Sequence, residues 1–143
     1  MKRIPVDDTL SVAAQPSPED IAELGRGGVR LLINNRPDGE ESGQPGSAAE
    51  RAAAEAAGMA YLDLPVTGPT ITEEAVARFA AALREAGGPV VAHCRSGTRS
   101  LTLWAIDAVR SGRLKRGAVL DFGRERGIDL GGALRWLDAH PAP

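Results

Sequence analysis

The sequence has a single cysteine, Cys94, and very few aromatic residues. One cysteine excludes an internal disulfide and any metal site built from several cysteines, so we expect a reducing, cytoplasmic location. Phe, Trp and Tyr together make up 3% of the residues, so the core must be built from Leu, Val, Ile and Ala. No pattern of metal ligands is evident, and neither a metal nor a cofactor is expected.

Long apolar runs and an excess of positive charge are also missing. No stretch approaches the roughly 18 apolar residues that a membrane span needs. Residues 1–10 place two acids soon after two basic residues, a pattern unlike that of a signal peptide. The formal net charge is −2, whereas nucleic-acid-binding domains are usually basic. We therefore expect neither a membrane nor a nucleic acid as a partner.

Short β-like runs alternate along the chain with amphipathic segments, which predicts one α/β domain over residues 1–143. Ser17 is predicted to cap the first helix, and Ser47–Glu50 and Thr70–Glu73 are predicted capping boxes. The predicted strands are 29–34, 59–66 and 89–93. The predicted helices are 17–28, 47–58, 70–88, 97–109, 115–126 and 129–139.

The loop after the apolar run 89–93 joins a buried strand to a helix. Open α/β sheets bind ligands at the carboxyl ends of their strands, and the unpaired N–H groups of a helix N-terminus favour an anion. Gly97 lets the backbone turn tightly and approach a ligand closely. We therefore predict an anion-binding nest that involves Arg95, Ser96, Gly97 and Thr98.

Cys94 begins this loop and is the predicted catalytic nucleophile. A thiol beside a helix N-terminus and an arginine should be largely thiolate at neutral pH. Arg99 is predicted to grip an oxyanion with its planar fork, and Ser100 to donate a hydrogen bond to the thiolate. His93 is expected to brace the loop. A cysteine that merely packs in the core is the alternative, but the polar and basic flanks disfavour it.

The loop and its flanks resemble two enzyme families. The run "CRSGTR" resembles the active-site loop of rhodanese sulfurtransferases, with four residues between Cys94 and Arg99. The preceding His93 and the following Ser100 resemble the protein tyrosine and dual-specificity phosphatases. The signature of those phosphatases has five residues between its Cys and its Arg, so this chain follows the rhodanese count.

A wider resemblance covers most of the chain, from Gln15 to about Leu137. Residues 15–41 and 60–72 resemble the phosphatase-like domain of the beta-lactamase hydrolase-like family, which is tied to bacterial sulfide metabolism. This resemblance implies a dual-specificity-phosphatase-like fold, with a central, mostly parallel sheet flanked by helices. It also implies that this fold carries a loop of rhodanese size.

Phosphatases of this kind need a general acid that protonates the leaving alkoxide. The resemblance places that acid in residues 65–72, which contain none, and Gly68 lies near the expected position. Asp63, Asp38 and Glu40 remain as alternatives. Sulfur transfer needs no such acid when sulfite or a thiolate leaves.

These features predict a sulfurtransferase that carries a sulfane sulfur as a Cys94 persulfide. The expected donor is a small anion such as thiosulfate or glutathione persulfide, met by Arg95, and the acceptor is a thiol. A persulfide dioxygenase or a sulfide oxidoreductase is a candidate partner. Arg36 and Asp38 are candidate pocket residues, with a loop salt bridge as the alternative. Two other functions stay open: a phosphatase with a phosphocysteine intermediate, and a non-catalytic anion-binding regulatory module.

Overall fold

A five-stranded sheet in the order β1-β2-β5-β3-β4 organises residues 1–142, the part of the chain that the computed structural model describes. β1 runs antiparallel to β2, and every other neighbouring pair is parallel. β5 therefore lies in the middle of the sheet. The strands are β1 (Ile4–Pro5), β2 (Leu10–Ala13), β3 (Leu31–Asn34), β4 (Ala60–Asp63) and β5 (Val90–His93).

Helices cover both faces of the sheet. The helices are α1 (Pro18–Arg26), α2 (Ser47–Ala56), α3 (Glu73–Glu85), α4 (Thr98–Arg110), α5 (Val119–Arg124) and α6 (Gly131–Ala139). Because side chains alternate along a strand, Val91 of β5 faces the core beneath α1 and α2, and Ala92 faces the core beneath α3 and α4. The predicted α/β fold with a mostly parallel sheet is confirmed. Among the described residues, no helix has the length and apolar character that a membrane crossing requires.

The N-terminal strands were not predicted, and β2 matters for the site. Residues 1–13 carry only short apolar runs interrupted by polar residues, so the local pattern is weak. Pairing with β5 stabilises β2 despite its weak local pattern, and β2 lies parallel to β5 with Ala13 opposite His93. The amide of Cys94 then donates to the Ala13 carbonyl at 3.3 Å, which fixes the start of the site loop to β2.

Helix starts were predicted correctly in one case of three. Ser17 caps α1 as predicted, and it accepts a hydrogen bond from the Asp20 amide at 3.0 Å. The predicted Ser47–Glu50 box is wrong: Gly46 is the N-cap of α2, and the Ser47 hydroxyl contacts the Tyr61 hydroxyl at 3.0 Å. Glu50 points inward instead, where a buried partner holds it.

The predicted Thr70–Glu73 box is also wrong. Thr72 caps α3 and accepts from the Ala75 amide at 3.0 Å, while Thr70 belongs to a short 3-10 turn that it closes with Thr67. Both threonines precede the same helix, and the one nearer the first helical turn takes the cap.

Candidate functional site

Cys94 follows directly on β5, and residues 95–97 lead from it into α4. Its Sγ accepts a hydrogen bond from the Gly97 amide at 3.0 Å, and the residue is only 1% exposed. Gly97 has φ +95°, in the left-handed region that side chains disfavour. The loop therefore curls back so that the N-terminus of α4 faces the sulfur, as the sequence predicts.

Arg99 lies in the first turn of α4, and its guanidinium group pairs with a carboxylate. Its Nη1 and Nη2 each donate to Glu40 at 2.8 Å, and Nη1 also donates to the Val66 carbonyl at 3.0 Å. The pKa of Arg99 is raised above its usual value, first by the hydrogen bond to Glu40 and also by its electrostatic interaction with Cys94. The predicted anion clamp is thus occupied by an anion from the protein itself.

The Glu40 and Glu41 pair belongs to the loop between β3 and α2 and reaches across to the Cys94 loop. Glu40 accepts a third hydrogen bond, from Arg36 Nε at 3.1 Å. Glu41 accepts a hydrogen bond from Arg36 Nη2 at 2.7 Å and forms an ion pair with Arg95 Nε at 3.0 Å. Three arginines and two glutamates therefore alternate over the site.

These contacts change how Glu40 ionises. The hydrogen bond from Arg99, followed by that from Arg36, lowers the pKa of Glu40 from 4.5 to about 2. At neutral pH the side chain is a carboxylate and has no proton to give. In this arrangement Glu40 does not serve as the general acid that the sequence left open.

Ser100 has a different partner from the predicted one. Its hydroxyl donates to Asn35 Oδ1 at 2.7 Å rather than to Cys94. The amide group of Asn35 donates to the Leu64 carbonyl at 2.9 Å, which leaves Oδ1 free as a buried acceptor for this hydroxyl. Ser100 therefore ties α4 to the end of β3, and the hydrogen bond on Sγ comes from Gly97.

The remaining predicted residues divide between the site and its surroundings. Arg36 is 3% exposed and reaches the site through Glu40. Asp38 accepts from the Ser47 amide at 2.8 Å, so it serves the start of α2. The Arg95 side chain is 67% exposed at the rim. The hydroxyls of Ser96 and Thr98 lie 3.3 Å apart on the same exposed side.

A buried network under the Cys94 loop was not predicted. His93 Nε2 lies 2.6 Å from Glu50 Oε1, and both side chains are 0% exposed. Gln15 Nε2 donates to Glu50 Oε2 at 2.9 Å and Gln15 Oε1 accepts from Arg36 Nη1 at 3.0 Å. The available signal was helical spacing: Glu50 shares a face with Ala54 in an otherwise small, apolar stripe of α2. Within residues 1–142, no cluster of His, Cys, Asp or Glu has an arrangement that suits a metal ion.

Solved structures with the same fold include several phosphatases. A candidate phosphatase from Neisseria meningitidis matches with a TM-score of 0.83 and 29% identity, over 95% of this chain and 96% of that one. PTPMT1 matches with a TM-score of 0.74 and 19% identity, over 96% and 92%. The active form of Tk-PTP matches with a TM-score of 0.71 and 22% identity, over 96% and 97%. The matches to PTPMT1 and Tk-PTP establish the phosphatase-like fold and carry no conclusion about activity or substrate.

Curated relatives are longer than this chain. The beta-lactamase hydrolase-like protein of Agrobacterium fabrum is 46% identical over 142 residues, which are 99% of this chain and 33% of that protein. Its counterpart from Xylella fastidiosa (strain Temecula1) is 44% identical over 96% of this chain and 32% of that protein. The chain thus spans about a third of their length. The family model for the phosphatase-like domain of beta-lactamase hydrolase-like proteins matches residues 3–111, and this chain therefore belongs to that family.

Proposed function

We propose that Cys94 is the nucleophile of a group-transfer enzyme that acts on a small anion, and that the transferred group is a sulfane sulfur. The spacing of the loop carries this proposal, because only four residues separate Cys94 from Arg99. The shorter loop gives a smaller cradle than the phosphatase signature gives. A small cradle suits one sulfur atom better than a tetrahedral phosphate.

The site supplies the groups that this chemistry needs. With thiosulfate, the Cys94 thiolate attacks the outer sulfur, the bond between the two donor sulfurs breaks, and sulfite leaves with its electron pair. The Gly97 amide, the N-terminus of α4 and the Arg99 guanidinium stabilise the anions. An acceptor thiolate then attacks the outer sulfur of the Cys94 persulfide and releases the Cys94 thiolate. No proton or outside oxidant is required.

The carboxylates around the site also favour sulfur transfer. Residues 65–72 contain no acid, and the pKa of Glu40 is about 2. Asp38 is engaged at the start of α2. An alkoxide leaving group needs a proton, whereas sulfite and thiolates leave as anions. Persulfide donors such as glutathione persulfide fit the same scheme, and a persulfide dioxygenase or sulfide oxidoreductase is the proposed partner class.

Phosphomonoester hydrolysis is the second candidate, and the comparisons taken alone favour it. The family is described as phosphatase-like, and the Neisseria meningitidis structure is a candidate phosphatase. In this candidate Cys94 attacks phosphorus, the protonated alcohol leaves, and water hydrolyses the phosphocysteine. Asp63, at the end of β4, is then the acid to test.

One preparation at one pH separates the two candidates. The protein is incubated with thiosulfate or glutathione persulfide, and its intact mass is measured. Sulfur transfer predicts a gain of one sulfur atom on Cys94, removed by added thiol and absent in Cys94→Ser. Alkyl phosphates are assayed in parallel, because aryl phosphates have leaving groups that depart without a proton. Fast alkyl phosphate turnover with no persulfide from either donor overturns the proposal in favour of the phosphatase.

A further inference from the structure

We infer that Glu50 is a positioning residue that keeps a second proton on its pair with His93 and thereby orients the peptide of Cys94. The inference rests on the proposed role of Cys94 as nucleophile, whichever group is transferred. It starts from a buried contact: Glu50 Oε1 and His93 Nε2 lie 2.6 Å apart, and neither side chain is exposed. Such a contact requires a proton between the two atoms.

The other ring nitrogen decides how many protons the pair holds. His93 Nδ1 faces the Cys94 carbonyl oxygen at 3.4 Å. With one proton on the pair, Nδ1 is bare and its lone pair confronts the carbonyl lone pairs. With two protons, Nδ1–H points at the carbonyl and attracts it. The geometry therefore points to two protons, whether the shared one sits on nitrogen or on oxygen.

The net charge of the Glu50–His93 pair also favours two protons. A pair with one proton is a buried carboxylate beside a neutral imidazole, and it has a net charge of −1. A pair with two protons is neutral overall. Burying a net charge without compensation is costly, so the fully buried site favours the neutral pair.

Glu50 is held so that it cannot turn away from His93. Gln15 donates to Glu50 Oε2 at 2.9 Å, and Arg36 donates to Gln15 Oε1 at 3.0 Å. Arg36 in turn contacts Glu40, the partner of Arg99. The hydrogen-bonding partners of the pair are thus one amide and one carbonyl, with one guanidinium one step further, and Tyr61 is another titratable group near Glu50.

This network fixes the backbone on both sides of the nucleophile. The Cys94 amide donates to the Ala13 carbonyl at 3.3 Å, and the Cys94 carbonyl faces His93 Nδ1. With both peptide planes held, the Gly97 amide lies 3.0 Å from Sγ. Glu50 acts on Cys94 only through His93, since its other oxygen is engaged by Gln15.

Exchanging the two side chains, Gln15→Glu with Glu50→Gln, isolates the proton from the packing. The carboxylate at position 15 then accepts from Arg36 and from the amide N–H at position 50, so the amide oxygen at position 50 faces His93 and accepts Nε2–H, the second proton is lost and Nδ1 becomes bare. Loss of the hydrogen bond from Nδ1 should slow iodoacetamide alkylation of Cys94 about tenfold at fixed pH, measured by intact mass. Glu50→Gln alone should keep the alkylation rate, because Gln15 still donates to its amide oxygen and its amide N–H donates to Nε2, which leaves the imidazole proton on Nδ1. Glu55→Gln, an exposed change on the same helix, is the matched control and should not alter the rate.

His93→Asn gives the complementary test, because its side-chain amide places a donor near the position of Nδ1. In this background the exchange of residues 15 and 50 should cause no further slowing. Full additivity of the two changes would contradict a role through His93.

Proton counting in the unchanged protein needs no variant. The sequence has only two histidines, His93 and His140, so their side-chain nitrogen–proton correlations are readily assigned by NMR. We expect a proton on His93 Nδ1 in the unchanged protein, whether the shared proton sits on Nε2 or on Glu50, and no proton on Nδ1 when residues 15 and 50 are exchanged. A bare Nδ1 in the unchanged protein, or an unchanged alkylation rate when residues 15 and 50 are exchanged, overturns the inference. A protein that shows both effects but forms no persulfide would contradict the proposed function alone.

Discussion

Arg99 donates to both oxygens of Glu40, each at 2.8 Å, in a two-pronged pair directly beside the nucleophile loop. A two-pronged guanidinium–carboxylate pair has the geometry in which arginine also binds a substrate oxyanion. Under the proposed function, Glu40 occupies the position that a substrate oxyanion would take, and an incoming anion would have to displace Glu40 or share Arg99 with it.

Glu40→Gln should tighten anion binding, because the amide competes less well for Arg99. The pair is partly exposed, so we expect a two- to fivefold decrease in the KM for thiosulfate, on the order of the value of such pairs. The same change should appear in the sulfate concentration that protects Cys94 from alkylation. Glu41→Gln, which loses contacts to Arg36 and Arg95 but not to Arg99, is the control. A higher KM in Glu40→Gln would show that Glu40 positions Arg99 rather than competing for it.

Glu40 should also make stability depend on pH. Its pKa falls from 4.5 to about 2 on folding, mainly through Arg99. A lowered pKa stabilises the fold above the unfolded value, and this contribution is lost as the pH falls towards the folded value. The denaturant midpoint of the unchanged protein should therefore exceed that of Glu40→Gln by more at pH 6 than at pH 3. An equal difference at both pH values would mean that ionisation of Glu40 is not the cause.

Arg99→Lys should be poorly tolerated although it keeps the charge. Lysine presents a point charge on a flexible stem and cannot reproduce the planar fork. We expect kcat/KM to fall by about 2–4 kcal/mol of transition-state stabilisation, as for loss of one oxyanion donor. Arg95→Lys, at the exposed rim, is the control. Near-normal kinetics in Arg99→Lys would mean that Arg99 does not face the substrate anion.

Gly97→Ala should show whether this position needs glycine because of its backbone conformation or because of a lack of space. The methyl group of the alanine would lie 3.7 Å from its nearest neighbours, which are atoms of Ala13 and Val12, so space is available, but φ is +95°. We expect a loss of about 1–2 kcal/mol in the free energy of unfolding. We also expect slower reaction of Cys94. Gly112→Ala, at φ +80° with nothing within 4 Å, should be destabilised similarly and should react normally. Equal effects of the two changes on the reactivity of Cys94 would show that Gly97 has no specific role in the site.

Local sequence predicted the parts of the site that are contiguous in the chain. The run from β5 through Cys94 to α4 has its strand pattern, glycine and helix start within a few residues, so the nest was recognisable. The partners of Ser100, His93 and Arg99 were not, because they come from the loop after β3 and from α2, which folding alone brings near. The strand β2 was missed for the same reason, since its pairing with β5 outweighs a weak pattern.

The central position of β5 has a consequence for the motions of the site. Its residues Val91 and Ala92 pair with β2 on one side and with β3 on the other, and both are 0% exposed. Their amides have no edge from which the sheet can open locally, so we expect them to exchange hydrogen with solvent only when the whole domain unfolds. Cys94, the proposed nucleophile, would then follow directly on the slowest-exchanging strand of the protein. The loop that covers Arg99 lies between β3 and α2 and is held by side-chain contacts rather than by strand pairing, so we expect its amides to exchange faster. Under the proposed function, a substrate anion would therefore displace Glu40 while the strand beneath Cys94 stays in place.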